Sequence, residues 1–347
     1  MNKDKINVLV VEDSPVVQML MKHLLDSDPQ LHVMGTANNG QEAVDFVAGQ
    51  KPDVILMDVH MPKMDGYEAT RRIMETQPVP IVISSATMTN QEVGATFHAL
   101  EAGAVAFIEK PVGLGGANFD QMVQKLLQTV KLMAEVKVVK RWGRQPRVEP
   151  FRPVGKPSAA IRVIAIGAST GGPPVIQSIL AGVPKDLPVP VLIVQHIAAG
   201  FLQGMVDWLK QTTGFPVHMA AHGKEALPGC AYLAPDGWQM GLGSNGRILL
   251  SNAPPENGLR PAVSYLLRSV AQTCGPNAVG VLLTGMGTDG AEELKLLKDQ
   301  GAITIAQDAE TAVVHGMPGA AIRLGAATYI LPANRIAAAL ATLVSRK

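Results

Sequence analysis

Residues 161–174, IRVIAIGASTGGPP, join a β-branched apolar run to a glycine-rich turn and then to two prolines. The run at 161–166 predicts a buried strand, and the apolar positions after Pro174 predict a helix. Glycine accepts positive φ and close approach, and proline suits the first turn of a helix. Because Ser169 lies on this turn, the stretch predicts either a phosphate-binding helix N-terminus or a serine nucleophile on a sharp turn.

The length and composition set limits on the kind of protein. A chain of 347 residues suits two domains, and its 47% hydrophobic content is globular. The net charge of +1 argues against a nucleic-acid binder. Cys230 and Cys274 fit no metal-binding pattern, so we expect buried thiols in a reducing compartment. No apolar run of about 18 residues occurs. We therefore expect a cytoplasmic protein without membrane insertion and without a nucleic-acid partner.

The first predicted domain, residues 1–128, alternates apolar strand patterns with helical patterns. This order predicts a parallel, doubly wound α/β sheet, with strands at 6–11, 32–37, 54–57, 81–83 and 104–108. Ligands of such sheets bind beyond the carboxyl ends of the strands. The residues at these ends are Glu12, Asp13, Asp58, Ser85 and Lys110. Clustered carboxylates suit Mg²⁺, beside which an aspartate can act as nucleophile toward a phosphoryl group.

The stretch DVHMPKMDG at residues 58–66, with Lys110-Pro111 downstream, resembles the receiver domain of two-component response regulators. The resemblance implies a flavodoxin-like fold in which Asp58 accepts a phosphoryl group from a sensor histidine kinase. It implies that Glu12, Asp13 and Asp58 hold Mg²⁺ together with the backbone carbonyl of His60. Ser85 and Lys110 would contact the phosphate, with Ser84 as the alternative to Ser85.

The second predicted domain, residues 161–347, follows a predicted linker at 129–160 in which Pro, Gly and charged residues are scattered. Strand patterns at 161–166, 189–194, 231–234, 247–250, 278–283, 303–306 and 328–331 predict a second doubly wound α/β sheet. Ser169, His196 and Asp289 each follow one of these strands. If the three strands are neighbours, these side chains meet at one edge and form the set of a serine hydrolase, in which His takes the serine proton and Asp orients the imidazole.

Each of these three residues also has a structural interpretation. Ser169 is compatible with a phosphate loop, His196 with a strand-end histidine, and Asp289 with a turn or an N-cap of a helix over 291–299. The α/β-hydrolase fold is excluded because its order is Ser, Asp, His, and His315 is the only histidine after Asp289. A dinucleotide site is disfavoured because the stretch lacks G-x-G-x-x-G.

The motifs GASTGG, QH, LTGMGTDGA and VVHGMP, all downstream of a receiver, resemble the CheB family of chemotaxis protein-glutamate methylesterases. The resemblance implies hydrolysis of γ-glutamyl methyl esters on chemoreceptor cytoplasmic domains, and glutamine deamidation in many members. The roles that it implies are Ser169 as nucleophile, His196 as base, Asp289 as third triad member, Thr170 as a supporting hydroxyl and Met286 as a backbone oxyanion donor.

The same resemblance implies an esterase without a cofactor, with Mg²⁺ needed for receiver phosphorylation only. It further implies that the unphosphorylated receiver covers the esterase cleft. The alternative function is a non-hydrolytic response regulator whose second domain binds a partner or a nucleotide.

Overall fold

The computed structural model describes residues 5–85, 97–111, 119–136, 138, 151 and 160–345. The chain divides into two compact units, Met1–Arg144 and Gln145–Lys347. Among the described residues, no helix has both the length and the apolar character needed to cross a membrane.

The first unit contains a five-stranded sheet in the order β2-β1-β3-β4-β5, in which all neighbouring strands are parallel. Its strands are β1 Ile6–Val11, β2 Leu31–Ala37, β3 Val54–Asp58, β4 Ile81–Ser85 and β5 Ala106–Glu109. Its helices are α1 Pro15–Asp26, α2 Gly40–Gly49, α3 Gly66–Thr76 and α4 Phe119–Ala134, and residues 97–102 are also helical. The sheet confirms the predicted doubly wound receiver fold, because the strand order 2-1-3-4-5 is that of flavodoxin-like sheets.

The second unit contains a seven-stranded parallel sheet in the order β14-β13-β12-β6-β7-β9-β8. Its strands are β6 Val163–Ala168, β7 Val191–Gln195, β8 Val217–Met219, β9 Ala231–Leu233, β12 Ala278–Leu282, β13 Ile303–Gln307 and β14 Tyr329–Leu331. A separate antiparallel pair joins β10 Gln239–Leu242 to β11 Ile248–Ser251. The helices are α5 Gly172–Gly182, α6 Leu202–Thr213, α7 Val263–Cys274, α8 Ala291–Asp299, α9 Met317–Arg323 and α10 Ala333–Val344.

The structure differs from the sequence-based elements at three places. The strand predicted at 247–250 lies in the separate antiparallel pair rather than in the main sheet. β8 and β10 were not predicted, because His218 and Gly241 interrupt their short apolar runs. Helix α4 continues to Ala134, past the predicted domain end at 128. The linker residues 139–150 and 152–159 lie outside the described residues.

Close packing around β6 positions the strand end that Ser169 follows. All residues of β6 are buried, as expected for a central parallel strand covered on both faces. A β-carbon at Gly167 would overlap Val263 Cγ1, and a β-carbon at Gly290 would overlap the same atom. Gly290 also has a φ of 83°, a conformation that favours glycine. These two glycines therefore let the first turn of α7 lie directly against the carboxyl end of β6.

Candidate active site and candidate phosphorylation site

The strand order places the three predicted esterase residues at one edge of the second sheet. β6 lies between β12 and β7, with Ala168 paired to Gln195 and Gly167 paired to Leu282. Ser169 and His196 therefore follow paired positions on adjacent strands, and the His196 N–H donates to the Ala168 carbonyl at 2.9 Å. The adjacency on which the prediction depended is present.

His196 and Asp289 are in direct hydrogen-bond contact. His196 Nε2 lies 2.9 Å from Asp289 Oδ2, and Asp289 is 4% exposed. With Nε2 engaged by the carboxylate, Nδ1 is the ring nitrogen that remains for proton exchange with a nucleophile.

Asp289 also accepts backbone hydrogen bonds from the first turn of α7. Val263 N–H donates to Oδ2 at 2.6 Å, and Ser264 N–H donates to Oδ1 at 3.0 Å. Burial by itself raises the pKa of Asp289. The hydrogen bonds from His196 and Ser264 and the charge of the imidazolium lower it by more than burial raises it, so the pKa lies below its usual range. A helix N-terminus favours negative charge in the same way. The carboxylate is therefore held ionised where it faces the imidazole.

The predicted alternative role of Asp289 is wrong for the helix over 291–299. The N-cap of α8 is Gly290, and no side chain caps that helix. Asp289 instead caps α7, whose N-terminus comes from a distant part of the sequence. The observed contacts combine a structural role at α7 with a position beside His196.

The turn that carries Ser169 is fixed by its neighbour loop. Ser169 N–H donates to the Thr284 carbonyl at 3.0 Å, and Thr284 Oγ1 donates to the Thr170 carbonyl at 2.9 Å. Gly171, with a φ of 78°, makes the turn into α5 possible. A β-carbon at Gly285 would lie 2.7 Å from the Ser169 β-carbon. The loop after β12 thus packs directly on the serine.

The two supporting residues of the prediction lie on these same turns. Thr170 follows Ser169 and is half-buried. Met286 follows Gly285 and is 40% exposed, and in the part of the chain that the structure describes its N–H donates no hydrogen bond. The Met286 N–H therefore has the hydrogen-bonding capacity that an oxyanion donor needs.

The carboxylates predicted to hold a metal come together in the first unit. Ligand atoms of Glu12, Asp13 and Asp58 all lie within 4.8 Å of one another. Lys110 Nζ lies 2.6 Å from Glu12 Oε2 and 2.9 Å from Asp58 Oδ1. This all-oxygen donor set fits a hard divalent cation such as Mg²⁺.

The electrostatics of this cluster favour an added cation. Burial raises the pKa of Glu12, the hydrogen bond and charge of Lys110 oppose the rise, and the Asp58 carboxylate adds to it, so the pKa lies above its usual range. One lysine thus leaves excess negative charge among three carboxylates. A bound divalent cation would offset that charge.

The remaining predicted receiver residues lie at the same sheet edge. Ser85 ends β4 and is 4% exposed, and Ser84 pairs in register with Asp58. The side chain of His60 is exposed, and the backbone carbonyl of His60 stays the predicted ligand. A β-carbon at Gly66 would overlap the Asp58 carbonyl oxygen, so Gly66 lets α3 start against the end of β3. The assignment to Ser85 rather than Ser84 stays a prediction.

Sequence reasoning missed several residues that build the candidate esterase site. They are Gln195, whose side-chain amide contacts two turns, Thr284, which joins the serine turn to its neighbour, and Val263 and Ser264, whose N–H groups hold Asp289. The sequence did contain a signal for Gln195, because a glutamine at the end of the apolar run VLIVQ needs hydrogen-bond partners when it is buried. Backbone donors carry no signal in side-chain identity.

Comparison with known proteins assigns both units to families. The CheB methylesterase family model matches residues 164–340, and the response regulator receiver domain model matches residues 8–126. A protein-glutamate methylesterase/protein-glutamine glutaminase of Nitrosospira multiformis is 52% identical over 347 residues, covering 99% of this chain and 98% of that protein. The protein-glutamate methylesterase/protein-glutamine glutaminase 4 of Geobacter metallireducens is 53% identical and covers 99% of this chain and 100% of that protein.

A solved structure supports the same assignment for the second unit. The crystal structure of the Thermotoga maritima CheB methylesterase catalytic domain is 38% identical, with a TM-score of 0.52, and covers 54% of this chain and 100% of that chain. Together with the sheet order and the match of both family models, these likenesses show that the chain belongs to the CheB methylesterase family, as a response regulator methylesterase with an N-terminal receiver domain.

Proposed function

We propose that the chain hydrolyses γ-glutamyl methyl esters on the cytoplasmic domains of chemoreceptors, in the cytoplasm, and deamidates glutamine at the same positions. The observation that carries the proposal is the His196 Nε2–Asp289 Oδ2 contact of 2.9 Å at a strand end adjacent to the one that Ser169 follows. A binding module would not need a histidine oriented by a buried carboxylate, whereas acyl transfer does. The names of the relatives add the protein-glutamate substrate class.

In the first step, Ser169 Oγ attacks the ester carbonyl carbon and its proton passes to His196. Asp289 keeps the proton of the neutral imidazole on Nε2, so Nδ1 is the atom that takes the serine proton. The imidazolium that forms is stabilised by the ionised Asp289 carboxylate, whose pKa is lowered by its hydrogen bonds. Burial of the pair strengthens this interaction.

The negative charge that develops on the ester oxygen needs a donor placed in advance. The Met286 N–H is our candidate, since Met286 directly follows Gly285, which packs on Ser169. A donor of this kind contributes roughly 3 kcal/mol to transition-state stabilisation. Thr170, which follows Ser169 on the same turn, would act as a supporting hydroxyl.

The tetrahedral intermediate then collapses and methanol leaves with the proton from His196. Water attacks the acyl-serine, with His196 again as base, and free glutamate is released. A glutamine substrate follows the same steps with ammonia as the leaving group. Either product carries a new negative charge on the receptor.

In the receiver, the Asp58 carboxylate takes a phosphoryl group from a sensor histidine kinase. Glu12, Asp13 and Asp58, with the His60 carbonyl, would hold Mg²⁺, which supplies charge neutralisation when bound. Lys110, already 2.9 Å from Asp58 Oδ1, would pair with the phosphoryl oxygens, and Ser85 would donate to them.

Phosphorylation of Asp58 raises the esterase activity. A coupling of about 1–3 kcal/mol between the two sites corresponds to a 5- to 150-fold change. The test is methanol release from a methyl-esterified receptor fragment by the full chain, with Mg²⁺ and with or without acetyl phosphate. Methanol release that rises with the phosphodonor is expected. Its absence under both conditions, with no labelling of Ser169 by a fluorophosphonate, favours the non-hydrolytic alternative.

A further inference from the structure

Gln195 is a buried polar residue that the chemistry above does not use. It ends β7, follows four apolar residues in VLIVQ, and is 4% exposed. Its Nε2 donates to the Ser169 carbonyl at 2.8 Å and to the His196 carbonyl at 2.8 Å. Both N–H donors of one amide group therefore bind the main-chain carbonyls of two proposed catalytic residues.

The orientation of this amide follows from its partners. If the amide were flipped, Oε1 would face two carbonyl oxygens with no proton between them. With Nε2 facing the carbonyls, Oε1 is buried and has no hydrogen-bond partner among the described residues. Burying an acceptor without a donor opposes folding, so stability alone does not explain a glutamine here.

The neighbouring helix leaves room for this amide. Gly172 begins α5, and a β-carbon at that position would overlap Gln195 Oε1. The φ of Gly172 lies outside the left-handed region, so its backbone conformation does not demand glycine. A β-carbon there would also lie 2.8 Å from the Ala168 β-carbon. The missing side chain thus provides the space in which the Gln195 amide sits.

The Gln195 amide restrains the Ser169 turn and the His196 turn through their backbones. The Ser169 carbonyl accepts from Gly172 N–H at 2.8 Å as well as from Gln195. The His196 N–H donates to the Ala168 carbonyl, and the His196 carbonyl accepts from Gln195 Nε2. With these peptide groups fixed, the directions of the Ser169 and His196 Cα–Cβ bonds are fixed too. A misplacement of about 1 Å between reacting groups can lower a rate about 100-fold.

Resting on the proposed esterase activity, we infer that Gln195 is a positioning residue that holds the Ser169 turn and the His196 turn at a fixed separation. It does not touch the substrate. It acts through the main chain of the two residues that do, by bridging their carbonyls with a single planar amide.

The test compares fluorophosphonate inactivation of the full chain and of two variants in the presence of Mg²⁺ and acetyl phosphate. Q195M keeps the length of the side chain and removes both donors, so its maximal inactivation rate is expected to fall about 100-fold while the concentration for half-maximal rate stays unchanged. Q195E puts a second oxygen against the two carbonyls. A protonated carboxyl restores one donor, so the ratio of the Q195E rate to the wild-type rate is expected to rise as pH falls, whereas the Q195M ratio stays flat.

T304V is the matched control for general loss of stability. Thr304 is buried in β13 and its Oγ1 donates to the Ala326 carbonyl at 2.6 Å, outside the esterase site. T304V is expected to lower the unfolding midpoint and leave the inactivation rate within about twofold of wild type. A Q195M rate within twofold of wild type, or a pH-independent Q195E ratio, overturns the positioning role. Should Q195M not fold, the Q195E ratio decides alone. Failure of the wild-type chain itself to react refutes the proposed esterase activity rather than the role of Gln195.

Discussion

Replacing Asp289 by Asn tests the link between the esterase chemistry and the fold around it. The carboxylate accepts from Val263 N–H, Ser264 N–H and His196 Nε2. An Asn side chain has one acceptor oxygen, and its NH₂ group must face a donor on the other side. If NH₂ faces His196, it can donate only to an unprotonated Nε2, which moves the ring proton to Nδ1. In the proposed mechanism, Nδ1 is the atom that takes the serine proton.

The magnitude follows from these contacts. A triad carboxylate converted to an amide with the wrong imidazole tautomer lowers the rate about 10⁴-fold, or about 5.5 kcal/mol at 1.36 kcal/mol per tenfold. Loss of one hydrogen bond to a buried carboxylate removes about 1.5–3 kcal/mol of stability. We therefore expect D289N to react with a fluorophosphonate about 10⁴-fold more slowly and to unfold about 2 kcal/mol more easily at pH 7.

The pH dependence of the stability loss has a defined sign. Burial raises the pKa of Asp289, but the hydrogen bonds from His196 and Ser264 lower it more, so the folded pKa lies below the unfolded value of about 3.9. The stabilisation by this ionised carboxylate is present above the unfolded pKa and is lost as pH falls through the folded pKa. The difference between wild type and D289N is expected to shrink below about pH 4.

The assay is urea denaturation followed by tryptophan fluorescence in a W142F background. The remaining tryptophans, Trp208, which is 3% exposed in α6, and Trp238, then report on the second unit. D236N is the matched control, because Asp236 accepts one N–H, from Gly200 at 3.0 Å, and burial raises its pKa despite that bond. A raised folded pKa means that stability is lost as pH rises through it. D236N is therefore expected to gain stability relative to wild type with rising pH. The same pH trend for D289N and D236N, or an unchanged labelling rate of D289N, would refute this reasoning.

Three further perturbations test separate parts of the molecule. G285A adds a methyl group 2.7 Å from the Ser169 β-carbon, so the fluorophosphonate rate is expected to fall about 100-fold; an unchanged rate would contradict the packing. D58N is expected to abolish labelling by radioactive acetyl phosphate because an amide lacks the nucleophilic carboxylate, whereas D53N, at the exposed amino end of β3, should label like wild type. EDTA is expected to block phosphate uptake by the receiver and to leave Ser169 labelling of the unphosphorylated chain unchanged; loss of both would place a metal in the esterase.

The sequence sufficed for the fold wherever an apolar run was long enough to be a strand. The strands around Val163–Ala168 and Val191–Gln195 were predicted within about two residues, since fully buried parallel strands are nearly continuous apolar runs. Strand order was not predictable in the same way. The prediction for Ser169 and His196 assumed neighbouring strands, and only the structure places β6 between β12 and β7.

The parts that escaped prediction are those made by backbone groups and by tertiary space. Nothing in the identity of Val263 indicates that its N–H holds a carboxylate from a distant loop. The glycines at 167 and 290 were visible in the sequence, but the neighbour that fills their space was not. Asp289 looked like a local N-cap because Gly-Thr-Asp-Gly precedes a helix, and tertiary packing instead assigned it to α7.

The most direct test is methanol release from a methyl-esterified chemoreceptor fragment by the full chain and by S169A, with Mg²⁺ and acetyl phosphate. If Ser169 is the nucleophile, S169A is expected to lower the rate of methanol release by about 10⁴-fold or more, because the acyl-enzyme cannot form. Circular dichroism and phosphate uptake at Asp58 should remain those of wild type. An S169A rate within about tenfold of wild type would contradict the assignment of the nucleophile and with it the proposed mechanism.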